Sequence, residues 1–383
     1  MKVLFISGGD YKYGAPRSLM PMIEGLKEKY GIEVILLTKK RNPLNDYCTK
    51  KGIENYSFWY RDIMAGSPYT NKFLTICKHF VKYMAFLWGG ITMRNVTKLP
   101  IDFSSIDIIH SNTNRQDIGA YIAAKYNIKH VWHIREMGKE DYNVIFYKKN
   151  CIRYMNTHAD AFIMISNAVR YKWQNIKLDA KKMCVVYDGV NAGKIKENAE
   201  CAENKIKVIM TGHIQPNKGQ LHLIKAVAKL PVRFRNLVEV DIVGEAYKDY
   251  LKEIKRFIEE MGLESQIHFL GYRNDISNIL CRYDIGVTCS RAEGYGRCTV
   301  EYMMAGLATI ASDTGANVEI IENNVTGMVY RYGDIENLSD ILKWLIEHAE
   351  ERELIAQNGM KTARTRFSGN QYIEEIYGVY KNV

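Results

Sequence analysis

Nowhere in its 383 residues does this chain carry the roughly 18 consecutive apolar residues that a membrane-spanning helix requires, so it does not read as an integral membrane protein. Its first residues, MKVLFISGGD, hold only about five apolar positions in a row, too few for a signal peptide's apolar region, and read as a first strand. The eight cysteines include no C-x-x-C pair and no His/Cys cluster at zinc spacing. Zinc frameworks are excluded, and without an export signal the thiols are expected to be reduced, mostly buried and cytosolic. No zinc finger, RRM-like aromatic motif or basic helix occurs, which argues against a nucleic-acid partner. There is no Asp-x-Asp tripeptide, a common carboxylate pair for a hard cation, and neither a solenoid-period repeat nor a low-complexity segment.

What is present is ordinary for a globular chain: 47% apolar and 25% charged residues. The length exceeds what one hydrophobic core organises, so two domains are expected, 1–190 and 191–368. Charge divides along the same line. Residues 1–200 hold 31 Lys and Arg against 18 Asp and Glu, a net of +13, whereas residues 201–383 hold 22 against 25, a net of −3. A basic half suits nucleic acid, anionic lipid or an anionic small molecule, and the count does not choose among them.

Short apolar runs at 2–7, 32–38, 106–111, 129–134 and 161–166 alternate with helical patterns such as Leu19 to Tyr30 and Asp117 to Tyr126. After Asp188 the text GVNAGKIKENAECAENK loses its apolar period and reads as a linker. Alternation then restarts at 207–212, 238–244, 266–271, 284–289 and 307–312. The predicted class is α/β: two Rossmann-like domains, each a parallel sheet wrapped by helices, facing one another across a cleft. Ligands of such sheets bind beyond the carboxyl ends of the strands.

Residues 293–301, EGYGRCTVE, place Glu293 and Glu301 eight positions apart around Gly294, Tyr295, Gly296 and Arg297. A strand precedes them and a helical pattern follows. Free N–H groups and the helix dipole make such a turn an anion site, and carboxylates on either side accept hydrogen bonds from hydroxyls at both ends of a diphosphate. The plain reading is a pair of solvated glutamates at a helix start. Against it, SRAEGYGRCTVEYMMAGLATIASDTGANVEII (290–321) resembles the donor-site segment of the retaining glycosyltransferases of family 4, with their E-x7-E hallmark. The resemblance implies the GT-B fold. It further implies that Glu293 contacts the donor sugar and Glu301 the ribose, with the Tyr295–Gly296–Arg297 backbone supporting the diphosphate.

Other segments match the same family. The turn SGGDYKYGAPRSL (7–19) is similar to its glycine-rich loop over the diphosphate, which implies roles for Gly14 and Ala15, while Arg17 fits a surface position equally well. TGHIQPNKGQLHLIKA (211–226) resembles the segment whose lysine, here Lys218, neutralises the departing diphosphate. His213 stands where arginine is usual. An imidazole with a reference pKa of about 6.5 makes leaving-group stabilisation sensitive to pH. His133, ending a strand in VWHIREMG, matches the family's strand-end histidine beside the reacting sugar, although a lone histidine there is more often structural. Arg135 and Glu136 are candidates for the acceptor pocket, and Tyr272 and Arg273 for the nucleobase. Cys298 reads as a packing residue.

With Lys218, His213 and a helix start available for the diphosphate charge, no metal site and no cofactor are expected, the nucleoside diphosphate sugar being a co-substrate. A glycosidase-type use of Glu293 and Glu301 is disfavoured, because the two would lie on opposite sides of the anion site. Residues 72–98 interleave Phe73, Leu74, Ile76, Phe80, Val81, Met84, Phe86, Leu87 and Trp88 with Lys72, Lys78, Lys82, Arg94 and Lys98. If helical, this is either a core helix or a segment lying on an anionic bilayer. The last helix, 369–383, is expected to cross back onto the first domain, as in the family. The expected function is retaining transfer to a glycan or lipid-linked oligosaccharide in polysaccharide biosynthesis, at the cytoplasmic side and peripheral to the membrane. A catalytically silent relative that binds a glycan or partner subunit, and a sugar-nucleotide epimerase, remain alternatives.

Overall fold

The chain's computed structural model describes residues 1–8, 14–65, 72–138, 145–191, 193–195 and 205–383, the side chains of 14–17 and 72–75 excepted. It divides into two units, Met1–Gly189 with Gly369–Val383, and Val190–Ser368.

In the first unit the strands are β1 (Lys2–Ser7), β2 (Glu33–Thr38), β3 (Glu54–Ser57), β4 (Met64–Ala65), β5 (Ile108–Ser111), β6 (Lys129–Ile134), β7 (Ile145–Phe146), β8 (Ala161–Met164) and β9 (Met183–Val185). Seven of them form one parallel sheet in the order β3-β2-β1-β5-β6-β8-β9, and β4 pairs antiparallel with β7. Central strands such as VLFI and IIHS are buried throughout, which is why they read as continuous apolar runs rather than alternating ones. Four of these strands escaped the sequence reading: β3 is a polar edge strand (ENYS), β4 and β7 are two residues each, and β9 is three.

The helix Gly14–Tyr30 covers one face of this sheet, and the final helix Gly369–Lys381 lies beside it. Tyr372, Ile373, Ile376 and Tyr380 share a buried cluster with Val3, Phe5, Leu19 and Ile23. Tyr30 and Tyr377 stack at 3.7 Å between ring centroids. The chain thus leaves the first unit after Gly189 and returns to it at Gly369.

The second unit contains β10 (Ile206–Thr211), β11 (Val238–Val243), β12 (Ile267–Gly271), β13 (Ile285–Thr288), β14 (Ala308–Ser312) and β15 (Met328–Tyr330). All pair in parallel, in the order β12-β11-β10-β13-β14-β15. Successive strands first run outward from β10 through β11 to β12, then restart on its other side at β13. The point between β10 and β13 is therefore the topological switch, where an open parallel sheet leaves room for a ligand beyond its carboxyl edge. The short strands β9 and β15, three residues each, carried too little pattern to be seen in the sequence. These two Rossmann-like units are the expected α/β architecture.

Candidate active site

Both segments singled out in the second half emerge from the carboxyl edge of its sheet, one on each side of the switch. After β10 the chain passes Gly212 and His213 and makes a single 3-10 turn, Pro216–Lys218, closed by Gly219 at φ +72°. A Cβ on Gly219 would meet the Cys289 carbonyl oxygen at 2.2 Å, so only glycine allows this turn to approach β13 so closely. Buried Gln220 holds the preceding loop: its Nε2 donates to the His213 carbonyl at 2.9 Å, and its Oε1 accepts from the Gln215 N–H. His213 itself is half-buried.

After β13 the chain turns through Ser290 to Glu293 and enters the helix Arg297–Ala305. Gly296 at φ +84° is its N-cap, and no side chain caps this start. The Glu293 backbone is fixed from the next loop: its carbonyl accepts the Ala316 N–H at 2.9 Å, and Gly315, at φ +58°, leaves no room for a Cβ, which would lie 2.0 Å from that oxygen. Ser312 and Thr314 hydroxyls both donate to the Ser290 carbonyl, at 2.8 and 2.6 Å. Thr299 donates to Asn317, whose Nδ2 donates to the Ser312 carbonyl. This buried lattice makes the turn rigid.

Lys218 Nζ lies 2.8 Å from Glu293 Oε2, so the two loops meet across the switch. Burial pushes the Glu293 carboxyl up. The adjacent Lys218 ammonium, the Ser290 hydroxyl and the Gly296 N–H outweigh burial and leave it below the usual glutamate value, an ionised acceptor. Glu301 sits inside the helix, with its Oε1 accepting from Arg297 Nε at 2.9 Å. Tyr295 is buried with its ring edge-on to Phe367 at 6.3 Å. Its side chain therefore anchors the turn and only its backbone remains for a ligand. Gly294 lies in the same turn. Cys298 packs against the cluster around Tyr302, and burial pushes its thiol up to about 11, in keeping with the packing role.

Tyr272 and Arg273 follow β12 just past Gly271, on the same edge of the sheet but two strands from β10. Tyr272 is exposed, whereas Arg273 forms a two-point pair with Asp275 at 2.9 and 2.6 Å. A cavity of about 230 Å³ beside Arg273, lined also by Lys207, Glu239, Asp241 and Tyr283, includes no other expected site residue.

In the first unit His133 is fully buried near the carboxyl end of β6. Its Nδ1 lies 3.3 Å from both His110 Nε2 and Arg135 Nη2, and its Nε2 has no hydrogen-bond partner among the described residues. Desolvation first, then the charges of Arg135 and His110, hold its pKa well below the usual histidine value. It is a neutral imidazole. Arg135, a candidate for the acceptor pocket, is held by partners within the first unit. It is buried, pairs with both Asp188 oxygens at 2.7 and 2.6 Å, and donates to Asn112 and to the Tyr372 hydroxyl. The apolar pattern around β6 could not show this, because Asp188 and Tyr372 lie 53 and 237 positions away. Glu136 is enclosed too, its carboxyl raised by burial despite Arg115 at 3.6 Å. Gly14 and Ala15 begin the helix Gly14–Tyr30, and their surroundings lie outside the described residues, as does the turn 9–13 before them.

Among the described residues no three His, Cys, Asp or Glu side chains are grouped to hold a metal ion. Sequence reasoning missed the supporting residues Ser290, Gly315, Asn317, Gln220 and His110. Gly315 and Asn317 lay within the segment whose resemblance was recognised, but their contacts are set by the fold.

The family model described as Glycosyltransferase Family 4 matches residues 14–194, and the one described as Glycosyl transferases group 1 matches residues 192–362. The capsular polysaccharide biosynthesis glycosyltransferase CapH of Staphylococcus aureus is 23% identical over 326 residues, 84% of this chain and 83% of its own length. The UDP-Gal:alpha-D-GlcNAc-diphosphoundecaprenol alpha-1,3-galactosyltransferase of Escherichia coli is 25% identical over 354 residues, covering 85% of each chain. A crystal structure of Anabaena HepE in complex with UDP superimposes with a TM-score of 0.81 at 21% identity, covering 100% of both chains.

Proposed function

Because the chain belongs to the glycosyltransferases of group 1 and family 4, a GT-B fold of two Rossmann-like units, we propose that it moves a sugar from a nucleoside diphosphate sugar to an acceptor hydroxyl. The setting is polysaccharide biosynthesis, the acceptor a glycan or lipid-linked oligosaccharide at the cytoplasmic face of the membrane, and the anomeric configuration is retained.

One observation carries the donor half of this reading: Lys218 and Glu293 meet at 2.8 Å on either side of the switch point, beside a helix start that no side chain caps. A diphosphate reaching Lys218 and those first-turn amides brings its sugar hydroxyls to the ionised Glu293. Its ribose falls toward Glu301, with Arg297 holding that carboxylate in place. As the sugar–phosphate bond breaks, charge grows on the leaving phosphate, where the ammonium and the helix start stabilise it. His213 is within the same loop and is proposed to add to that stabilisation. These groups supply positive charge without a metal ion, which supports metal-independent transfer. In the first unit His133, whose Nε2 has no partner among the described residues, is suited to accept or donate one hydrogen bond. Names of the relatives support the substrate class: HepE was crystallised with UDP and with UDP-glucose, and CapH is named for capsular polysaccharide.

The test is turnover of a panel of nucleoside diphosphate sugars with and without glycan acceptors, in excess chelator, with the product's anomeric configuration read by NMR. Release of nucleoside diphosphate that depends on acceptor, resists chelator and retains configuration is expected. Inversion, or loss of turnover that magnesium restores, would remove those parts of the proposal. Interconversion of the donor without acceptor would favour an epimerase.

A further inference from the structure

The segment 72–98 is helical from Lys72 to Thr92, and most of its apolar side chains face solvent. Ile76 is 67% exposed, Phe80 63%, Trp88 64% and Ile91 64%, with Val81, Tyr83, Met84 and Leu87 also exposed. At 100° per residue these eight occupy one arc of about 160°. A soluble monomer's largest apolar patch is about 300–600 Å², and eight large side chains this open exceed it. Core helices do not present such a face.

The opposite side of the helix is what holds it to the fold. Phe86 is buried under the Arg61 guanidinium at 4.4 Å, and Arg61 in turn pairs with buried Asp117 at 2.7 Å. Gly89 and Gly90 let Arg61 lie against the helix, since a Cβ at either would sit 2.5 or 2.6 Å from its side chain. His79 Nδ1 meets the Tyr147 hydroxyl at 2.7 Å. The arc is therefore displayed from a docked helix, so its exposure does not come from a detached segment.

We propose that this arc is a docking surface for the interfacial region of an anionic bilayer, which the helix enters while lying parallel to it. Lys78 and Lys82, both exposed, lie about 60° and about 100° past Val81 around the helix, and across a helix only about 10–12 Å thick their charges still reach an anionic surface at low salt. Tyr83 and Trp88 lie toward its two margins, where amphipathic rings suit the headgroup level. Residues 1–200 carry a net charge of +13. No helix of the described residues is long and apolar enough to cross a membrane, so the face lies on the bilayer and does not span it. This deepens the lipid-linked acceptor reading and rests on it for its purpose, because a face seated on lipid brings the first unit to membrane-anchored glycans.

Co-sedimentation of the full chain with phosphatidylglycerol–phosphatidylcholine vesicles at low salt tests it. Binding to anionic vesicles, weakened by salt, is expected. Lys78→Ala with Lys82→Ala should weaken it about 25-fold, at about fivefold per lysine. Phe80→Ser with Trp88→Ser should abolish it while leaving the melting curve and donor hydrolysis unchanged. The proposal is overturned if the wild-type chain stays in the supernatant, if either double variant binds as well as wild type, or if light scattering shows a dimer that Phe80→Ser with Trp88→Ser dissociates. That last result would make a second copy the occupant. In each of these outcomes donor hydrolysis by the same samples reports separately on the transferase reading.

Discussion

Replacing Lys218 by methionine keeps most of the side-chain stem and removes the ammonium 2.8 Å from Glu293. A hydrogen bond between charged groups contributes about 1.5–3 kcal/mol. At roughly 2–4 °C per kcal/mol for a unit of this size, the melting temperature of the second unit should fall by about 3–12 °C. The sign of its pH dependence follows from Glu293. The carboxyl is held below its usual value in the fold, so its contribution is complete above the unfolded glutamate pKa of about 4.3 and is lost as pH falls through the folded value. The gap between wild type and variant should be widest near neutral pH and close as pH falls through the folded Glu293 value. Catalysis should suffer more, because removing one preorganised donor to developing negative charge costs about 10²–10³ in kcat. The acid limb of the remaining activity should also move to higher pH, since burial then dominates at Glu293. Hydrogen exchange across Ile285–Thr288 and single-turnover donor consumption measure the two effects. A lower melting temperature with unchanged kcat would make Lys218 a structural tie and refute its assignment to the leaving group.

Three further outcomes test other parts of the account. His110 and His133 are held well below the usual histidine range by burial, and His130 at about 4; below pH 6.5 the unfolded chain takes up protons the native unit refuses, so urea stability of the first unit should fall by about 4 kcal/mol per pH unit, about 1.4 for each histidine, and a flat profile between pH 6 and 5 contradicts their burial. Gly315→Ala should lower both stability, by at least about 2 kcal/mol, and donor affinity, since its Cβ would strike the Glu293 carbonyl; Gly333→Ala, at φ +85° with nothing within 4 Å, should cost about 1–2 kcal/mol and leave turnover intact. Asp188→Asn leaves the Arg135 charge buried beside His133, and should destabilise the first unit by about 3–5 kcal/mol, with Tyr372→Phe costing only about 1 kcal/mol, both read by urea titration.

Much of the architecture was legible because buried parallel strands write themselves as apolar runs: KVLFIS, IDIIHS and VEVDIVG each fall within two residues of the strands observed. Edge strands do not. ENYS at β3 is half solvated and polar, and β9 and β15 are too short to show a period. Local motifs likewise singled out Glu293, Lys218 and Gly296, but not the meeting of Glu293 with Lys218, which lie 75 positions apart. The partners of Arg135 were not legible, because Asp188 and Tyr372 come from the linker end and the returning last helix, a juxtaposition no window of sequence contains. The apolar segment 72–98 was ambiguous for the same reason: which of its faces is covered depends on Arg61 and Tyr147.

The most direct measurement is a crystal structure of the chain soaked with the nucleoside diphosphate sugar that stabilises it most. The account predicts the diphosphate within hydrogen-bond distance of Lys218 Nζ and the first-turn amides of the helix Arg297–Ala305, the sugar hydroxyls on Glu293 and the ribose on Glu301. A nucleotide bound elsewhere on the second unit, with the Lys218–Glu293 pair untouched, would contradict it.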